Sequence, residues 1–151
     1  MAVSIKEFRN SFKQLNLKAA IVETVNAKRE IVADLQATQM SRGERADGSK
    51  FPDYSARSVN EFGKRPGPWT LRDTGEFYRL IQIVKIDSTG WILTSLDDKT
   101  QLIKAKVRQR LGTQEDKVFG LNDTTREDFV KPHFVPELKR QLTQQTGIRI
   151  L

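Results

Sequence analysis

The chain contains no cysteine and a single histidine, His133. The first absence excludes disulfides, thiolate metal sites and thiol nucleophiles, and the second excludes metal centres built from several imidazoles. No stretch approaches the roughly 18 consecutive apolar residues of a membrane span. The opening "MAVSIKEFRN" carries charge by its sixth residue and lacks the apolar core of a signal peptide, so a non-secreted chain with no membrane contact is expected. Internal repeats at solenoid periods and low-complexity segments are missing as well.

Nucleotide and calcium motifs are also wanting. In "EFGKRPGP" the pair Gly63-Lys64 suggests a phosphate loop, but Ser58 stands where its first glycine belongs. Glu44, Asp47 and Asp53 in "ERADGSKFPD" do not fit an EF-hand loop and read as solvated loop acids. No serine–histidine–acid set assembles locally, and His133, between Pro132 and Phe134, reads as a packed or capping imidazole. No cofactor, metal site or catalytic residue is expected.

What is present is positive charge. Lys and Arg total 26 against 19 Asp and Glu, a net +7, which favours an acidic partner: nucleic acid, a charged protein surface or an anionic membrane. The 151 residues suit one domain spanning 1–151 with its own core. Ser4 and Glu7 have capping-box spacing ahead of Ile5, Phe8, Phe12 and Leu15, predicting a helix over about 4–14. Leu17, Ile21, Val25, Val32 and Leu35 then mark one stripe of a long helix to about Met40. Lys28 interrupts that stripe, either selecting register or laying its stem on apolar surface with its ammonium in water.

Residues 41–72 are rich in Gly, Pro, Ser and charge, yet Phe51, Tyr54, Phe62 and Trp69 supply anchors that a disordered linker lacks. They predict an ordered loop, with a helical turn near Ser55 to Phe62. A short helix over about 74–81, with Phe77, Leu80 and Ile81 as its buried stripe, then leads to a hairpin of about 81–87 and 91–96 around "STG". Asp97 or Asp98 is expected to cap a helix that carries Ile103, Val107 and Leu111 inward and ends at Gly112. Asp123 or Thr124 is expected to cap the next helix, Pro132 and Pro136 to break or kink it, and Pro136 to open a final helix that stops at Gly147. The whole reads as an α+β fold: a long N-terminal helix, a long ordered loop, a small antiparallel sheet and C-terminal helices.

Two features invite chemistry. Asp73-Thr74-Gly75 is the tripeptide of aspartic proteases, whose two carboxylates share a proton, so this chain would need a homodimer to bring two copies of Asp73 together. Arg72 before it, Glu76 after it and the absence of dense strand pattern favour a structural corner instead, with Asp73 capping a helix in a box with Glu76. The second feature is "LIKAKVRQRLG", where Lys104, Lys106, Arg108 and Arg110 form the densest cationic stretch. At helical spacing Lys104 and Arg108 edge one side of the apolar seam and Lys106 and Arg110 the other, which fits a solvated or protein-contacting face better than base reading.

The order of these pieces resembles the tailed-bacteriophage virion-morphogenesis and tail-completion family of head–tail junction proteins. The matching motifs are Asp47-Gly48-Ser49-Lys50-Phe51-Pro52-Asp53-Tyr54-Ser55 after a long helix, then Leu71-Arg72-Asp73-Thr74-Gly75-Glu76-Phe77, a hairpin, a helix ended by Gly112, Phe119-Gly120-Leu121, and a helix opened by Thr124 to Asp128. The match runs over about residues 17–146. It departs at Pro132 and Pro136, and at Glu115-Asp116-Lys117-Val118, where the family has Pro-x-Arg-Pro.

The resemblance implies a structural, non-enzymatic virion protein of the neck or tail, assembled in the host cytoplasm. It would form a homo-oligomeric ring that meets portal or adaptor and tail proteins and makes non-specific contact with packaged DNA. It also implies that Asp73-Thr74-Gly75 is a structural corner. The assembly interface is expected at Phe51, Tyr54, Phe62 and Trp69, which as readily fill a satellite core under their own loop. The alternatives are a DNA-binding accessory protein acting through Lys104 to Arg110 and a homodimeric aspartic protease acting through Asp73.

Overall fold

A computed structural model of the chain describes residues 4–13, 15–87 and 90–149. Its elements are α1 (Ile5–Lys13), α2 (Leu17–Ala27), α3 (Arg29–Ser41), α4 (Ala56–Phe62), α5 (Glu76–Arg79), β1 (Ile81–Asp87), β2 (Gly90–Ser95), α6 (Thr100–Leu111), α7 (Asp123–Phe129), a π-turn at Val130–Phe134 and α8 (Val135–Thr146). Helices plus one two-stranded antiparallel sheet make an α+β fold.

The capping box opens α1: Ser4 N–H donates to Glu7 Oε2 at 2.9 Å and Glu7 N–H to Ser4 Oγ at 3.2 Å. Ile5, the first residue of the expected stripe, is 89 % exposed, and the side chains of Phe8 and Phe12 lie outside the described residues.

The long helix expected over 17–40 is two helices. Lys28, at φ −113° and ψ 15°, ends α2 and starts α3. The two halves have different partners, α2 packing on α8 and α3 on β1 and α7, and one straight rod does not serve both. Val25 and Val32 are therefore buried, while Leu17 and Ile21 at the far end of the expected stripe are exposed. Lys28 does more than lay its stem on apolar surface with its ammonium in water. Its ammonium lies 3.8 Å from Glu137, a buried carboxylate that also accepts from Arg140 at 2.6 Å and Gln141 at 3.0 Å. Those hydrogen bonds, Arg140 first, outweigh burial and hold the Glu137 carboxyl below the usual range.

The hairpin is close to its expected place, although its Ser88-Thr89 turn lies outside the described residues. Ile81 and Ile83 face inward with Gln82 outward, and Val84 is then a bulge between the pairs Ile83–Leu93 and Lys85–Ile92. That extra residue flips the alternation, so Ile86 turns to the core and Lys85 to solvent. The first strand starts at Ile81 as expected, but the helix expected over about 74–81 is shorter: α5 is a single turn that buries Phe77.

One core cluster gathers Met40, Phe51, Phe77, Ile81, Val107 and Val118, and a second gathers Val25, Val32, Ile83 and Phe129; Leu93 packs against both. Ile103 and Leu111 flank Val107 as their spacing predicts, and Gly112 at φ 63° ends α6. The α6 cap differs from expectation. Asp97 Oδ1 accepts from Lys99 N–H at 2.8 Å and shapes the preceding turn, while Lys99 occupies the cap position.

At the C-terminal end Asn122, one residue ahead of the expected Asp123 or Thr124, caps α7 by accepting from Thr125 N–H at 2.9 Å. Pro132 does not break the path. An α-helix would lose a hydrogen bond and clash at that ring, and the wider π-turn carries the chain past it into α8 with Pro136 in the first turn and Gly147 at the end.

Two fully buried glutamines on α3 bind the 120–122 segment. Gln36 Oε1 accepts from Gly120 N–H at 2.8 Å, Gln39 Nε2 donates to the Gly120 carbonyl at 2.9 Å, and Gln39 Oε1 accepts from Asn122 N–H at 2.8 Å.

Replacing Gln39→Leu strands the buried Asn122 N–H and the part-buried Gly120 carbonyl, so urea unfolding monitored by circular dichroism is expected to show a loss of about 2 kcal/mol. Glu137→Gln is expected to melt below the parent at pH 7. Because the folded pKa is depressed, the carboxylate's contribution is present above the ordinary value of 4.5 and vanishes as pH falls below it, so calorimetry across that range should show the two melting temperatures converging.

Candidate assembly surface

The 41–72 stretch is an ordered arm. Its base is a pair of short bridges, Glu44 with Lys50 and Asp53 with Pro68. Phe51 N–H donates to the Gly43 carbonyl at 2.8 Å, Tyr54 N–H to the Gly67 carbonyl at 2.9 Å and Trp69 N–H to the Pro52 carbonyl at 2.9 Å. Gly43 makes the closure possible: it sits at φ 71°, and a Cβ there would stand 2.8 Å from Pro68 Cγ. Between the bridges Ser55 Oγ accepts from Ser58 N–H at 3.1 Å and opens α4, which Gly63 ends at φ 62°. The expected helical turn is thus a capped helix.

Of the three loop acids, Asp47 and Asp53 are exposed as expected, and Glu44 departs. Glu44 is half-buried and accepts from Lys50 Nζ at 3.2 Å and Asn122 Nδ2 at 3.2 Å. Burial pushes its carboxyl up, but Lys50, Asn122 and the nearby Arg42 charge outweigh that and hold it below the usual range. Arg45, unremarked in sequence, is buried and donates to the Lys50 carbonyl at 3.3 Å and the Asp116 carbonyl at 3.2 Å, stitching arm to body. An arginine amid Gly, Asp and Ser reads as solvated, and only the topology brings Asp116 to it.

The four aromatics separate into three environments. Phe51, 3 % exposed, belongs to the main core, which corrects its assignment to an interface. Tyr54 and Trp69 are half-buried against each other with centroids 6.4 Å apart; Trp69 Nε1 donates to the Asp53 carbonyl at 3.1 Å, and the Tyr54 hydroxyl accepts from Thr70 N–H at 3.3 Å. These two brace the arm. Phe62 alone is turned out, 65 % exposed at the end of α4, with the Arg57 guanidinium 6.0 Å from its ring centre.

Asp73-Thr74-Gly75 is the corner between arm and sheet, but its chemistry differs from the expected cap. Gly75, at φ 84°, occupies the cap position of α5, and Thr74 Oγ1 accepts from Glu76 N–H at 3.3 Å. Asp73 points to solvent, its side chain 76 % exposed and 3.3 Å from Lys64 Nζ. A left-handed αL residue serves where a side-chain cap was expected, because the chain reverses too sharply here for Asp73 to face the first turn. Leu71, at φ 56°, shares that reversal.

The basic helix meets its own chain along both edges of its seam. Lys104 Nζ lies 5.3 Å from the Phe119 ring centre, and Arg108 pairs with Asp116 at 3.0 Å. On the other edge Arg110 reaches the Asp53 carbonyl at 3.5 Å, and Lys106 is exposed. His133 is half-buried in the π-turn. Among the described residues no cluster of three or more His, Cys, Asp or Glu is placed to hold a metal, and no helix is long and apolar enough to cross a membrane.

No family model, curated protein or solved structure matches the chain.

Tyr78 joins corner to arm by donating its hydroxyl to the Thr70 carbonyl. Burial, aided by the neighbouring Tyr54, pushes it from the ordinary 10 up to about 12. A raised folded pKa favours the protonated form, so the stability Tyr78 contributes is intact below pH 10 and is lost as pH climbs through about 12. Alkaline absorbance titration of Tyr78→Phe is expected to lack the tyrosinate step near pH 12 that the parent shows.

Proposed function

We propose that the chain is a structural protein of the tailed-phage head–tail junction, joining a homo-oligomeric ring between portal or adaptor and tail proteins and acting through protein–protein contact. The observation that carries this reading is the arm: an exposed Phe62 held out on a capped helix whose base is bolted to the core through Phe51 and Arg45. An apolar ring on a rigid projection is costly in water and suits a protein partner, because little conformational entropy remains to be lost on docking. In a closed ring each such contact repeats around the axis, so modest pairwise affinity yields a durable assembly. The motif order from Asp47-Gly48 through Asp73-Thr74-Gly75 to Gly112 supports the same assignment.

The engaged cations of α6 support protein contact over duplex binding. Lys104, Arg108 and Arg110 each have an intramolecular partner, and a phosphate backbone would have to compete for them. Asp73 stands in solvent and is paired with Lys64, rather than held in a cleft where a second carboxylate could share its proton, which counts against the protease reading.

Phe62→Ser is expected to keep the parent's melting temperature, since the residue packs little, but to reduce by more than about tenfold the amount of chain retained in gradient-purified phage particles, read by immunoblot. Undiminished retention would remove the arm from the assembly surface.

A further inference from the structure

Beside the arm, the fold collects cations that are scattered in sequence. Two adjoining hollows of about 560 and 520 Å³ share Ser41 and Arg72. Arg42, Lys64 and Arg65 line the first with Arg72, Arg79 lines the second, and neither wall contains an Asp or Glu. Arg42 is matched by Glu44 at 3.4 Å and Lys64 by Asp73 at 3.3 Å. Arg65, Arg72 and Arg79 are all exposed and have no carboxylate partner among the described residues. Three uncompensated guanidiniums therefore crowd one concave surface, and like charges held together repel until an anion arrives.

We propose that this double hollow docks an acidic peptide segment of a partner protein, its carboxylates on Arg65, Arg72 and Arg79 and an apolar side chain against Phe62, Pro66 and Pro68. Guanidinium forks pair bidentately with carboxylates, and complementary charge fixes partner and register. The wall beside them suits an aliphatic or aromatic side chain: it carries two prolines, and Phe62 stands mostly in water. A stacked nucleobase is served less well, because Tyr54 is already packed on Trp69. Duplex DNA presents its phosphates on a convex surface, whereas these arginines line concavities. The assignment does not rest on the virion reading, since the same chemistry would capture any acidic partner.

The test is fluorescence anisotropy at physiological salt with the full chain and a fluorescein-labelled peptide of Glu and Asp around a central Leu-Phe pair, beside a labelled single-stranded oligonucleotide of equal charge. One variant carries Arg65→Gln, Arg72→Gln and Arg79→Gln. A charge-matched control carries Lys6→Gln, Lys18→Gln and Arg29→Gln, exposed positions outside both hollows. Saturable peptide binding is expected, weakened more than about tenfold in the first variant and less than about twofold in the control, with melting curves like the parent's in both. Equal weakening in the two variants, no saturable peptide binding by the parent, or tighter binding of the oligonucleotide through the same three arginines would each overturn the proposal.

Discussion

Three hydrogen bonds from Gln36 and Gln39 to Gly120 and Asn122 hold the molecule's parts in register. Both side chains are fully buried, so losing the bond partner would strand an amide, and the Gln39–Asn122 bond is itself buried from water. The 116–122 stretch, whose end they fix, is the common support of three other parts of the chain. Asn122 caps α7 and donates to Glu44 at the arm's base. Lys117 accepts Ala46 N–H at 2.9 Å, and the Asp116 carbonyl receives Arg45. Phe119 and Asp116 meet the cations of α6. An arm with an exposed phenylalanine is useful only if its base does not move, and α3 supplies that base through two amides rather than through apolar contact alone. Gln36 gives less than Gln39, because its Nε2 is buried without a partner.

Local signals in the sequence predicted local structure well. The Ser4–Glu7 box, the glycine ends at Gly112 and Gly147, and the hairpin follow from neighbours a few residues apart, and so does the ordered arm from its spaced aromatics. The failures share a cause. The break at Lys28, the buried Arg45 and the inward Phe51 are decided by the separate partners of α2 and α3, by Asp116 and by the α3–α6 core, all distant in sequence. Asp73 and Asp97 have the right residue type for a cap, but the cap position of α5 falls to Gly75 with Thr74 accepting from Glu76 N–H, and Asp97 is spent on the turn before α6.

The same limit governed the candidate site. The visible cationic run, Lys104 to Arg110, is largely committed to the chain's own Phe119, Asp116 and Asp53. Three uncommitted arginines, Arg65, Arg72 and Arg79, are spread over the arm, the corner and a one-turn helix, and only the fold brings them to adjoining hollows. Counting charges along a window finds density; whether a charge is available depends on the partners that folding brings to it. Phe62 is legible only halfway, since its aromatic character marks an anchor but its outward orientation follows from the α4 cap and the Gly63 turn.

On the proposed reading, the ordered arm meets a protein neighbour at the phage neck. Cryo-electron microscopy of purified tailed particles that carry the chain tests it most directly, with the density at the portal–tail junction averaged under ring symmetry. The claim predicts the chain in a closed ring there, with Phe62 and the flanking arm buried at a subunit boundary. Particles without the chain at that junction, or a ring in which the arm faces only solvent, would contradict it.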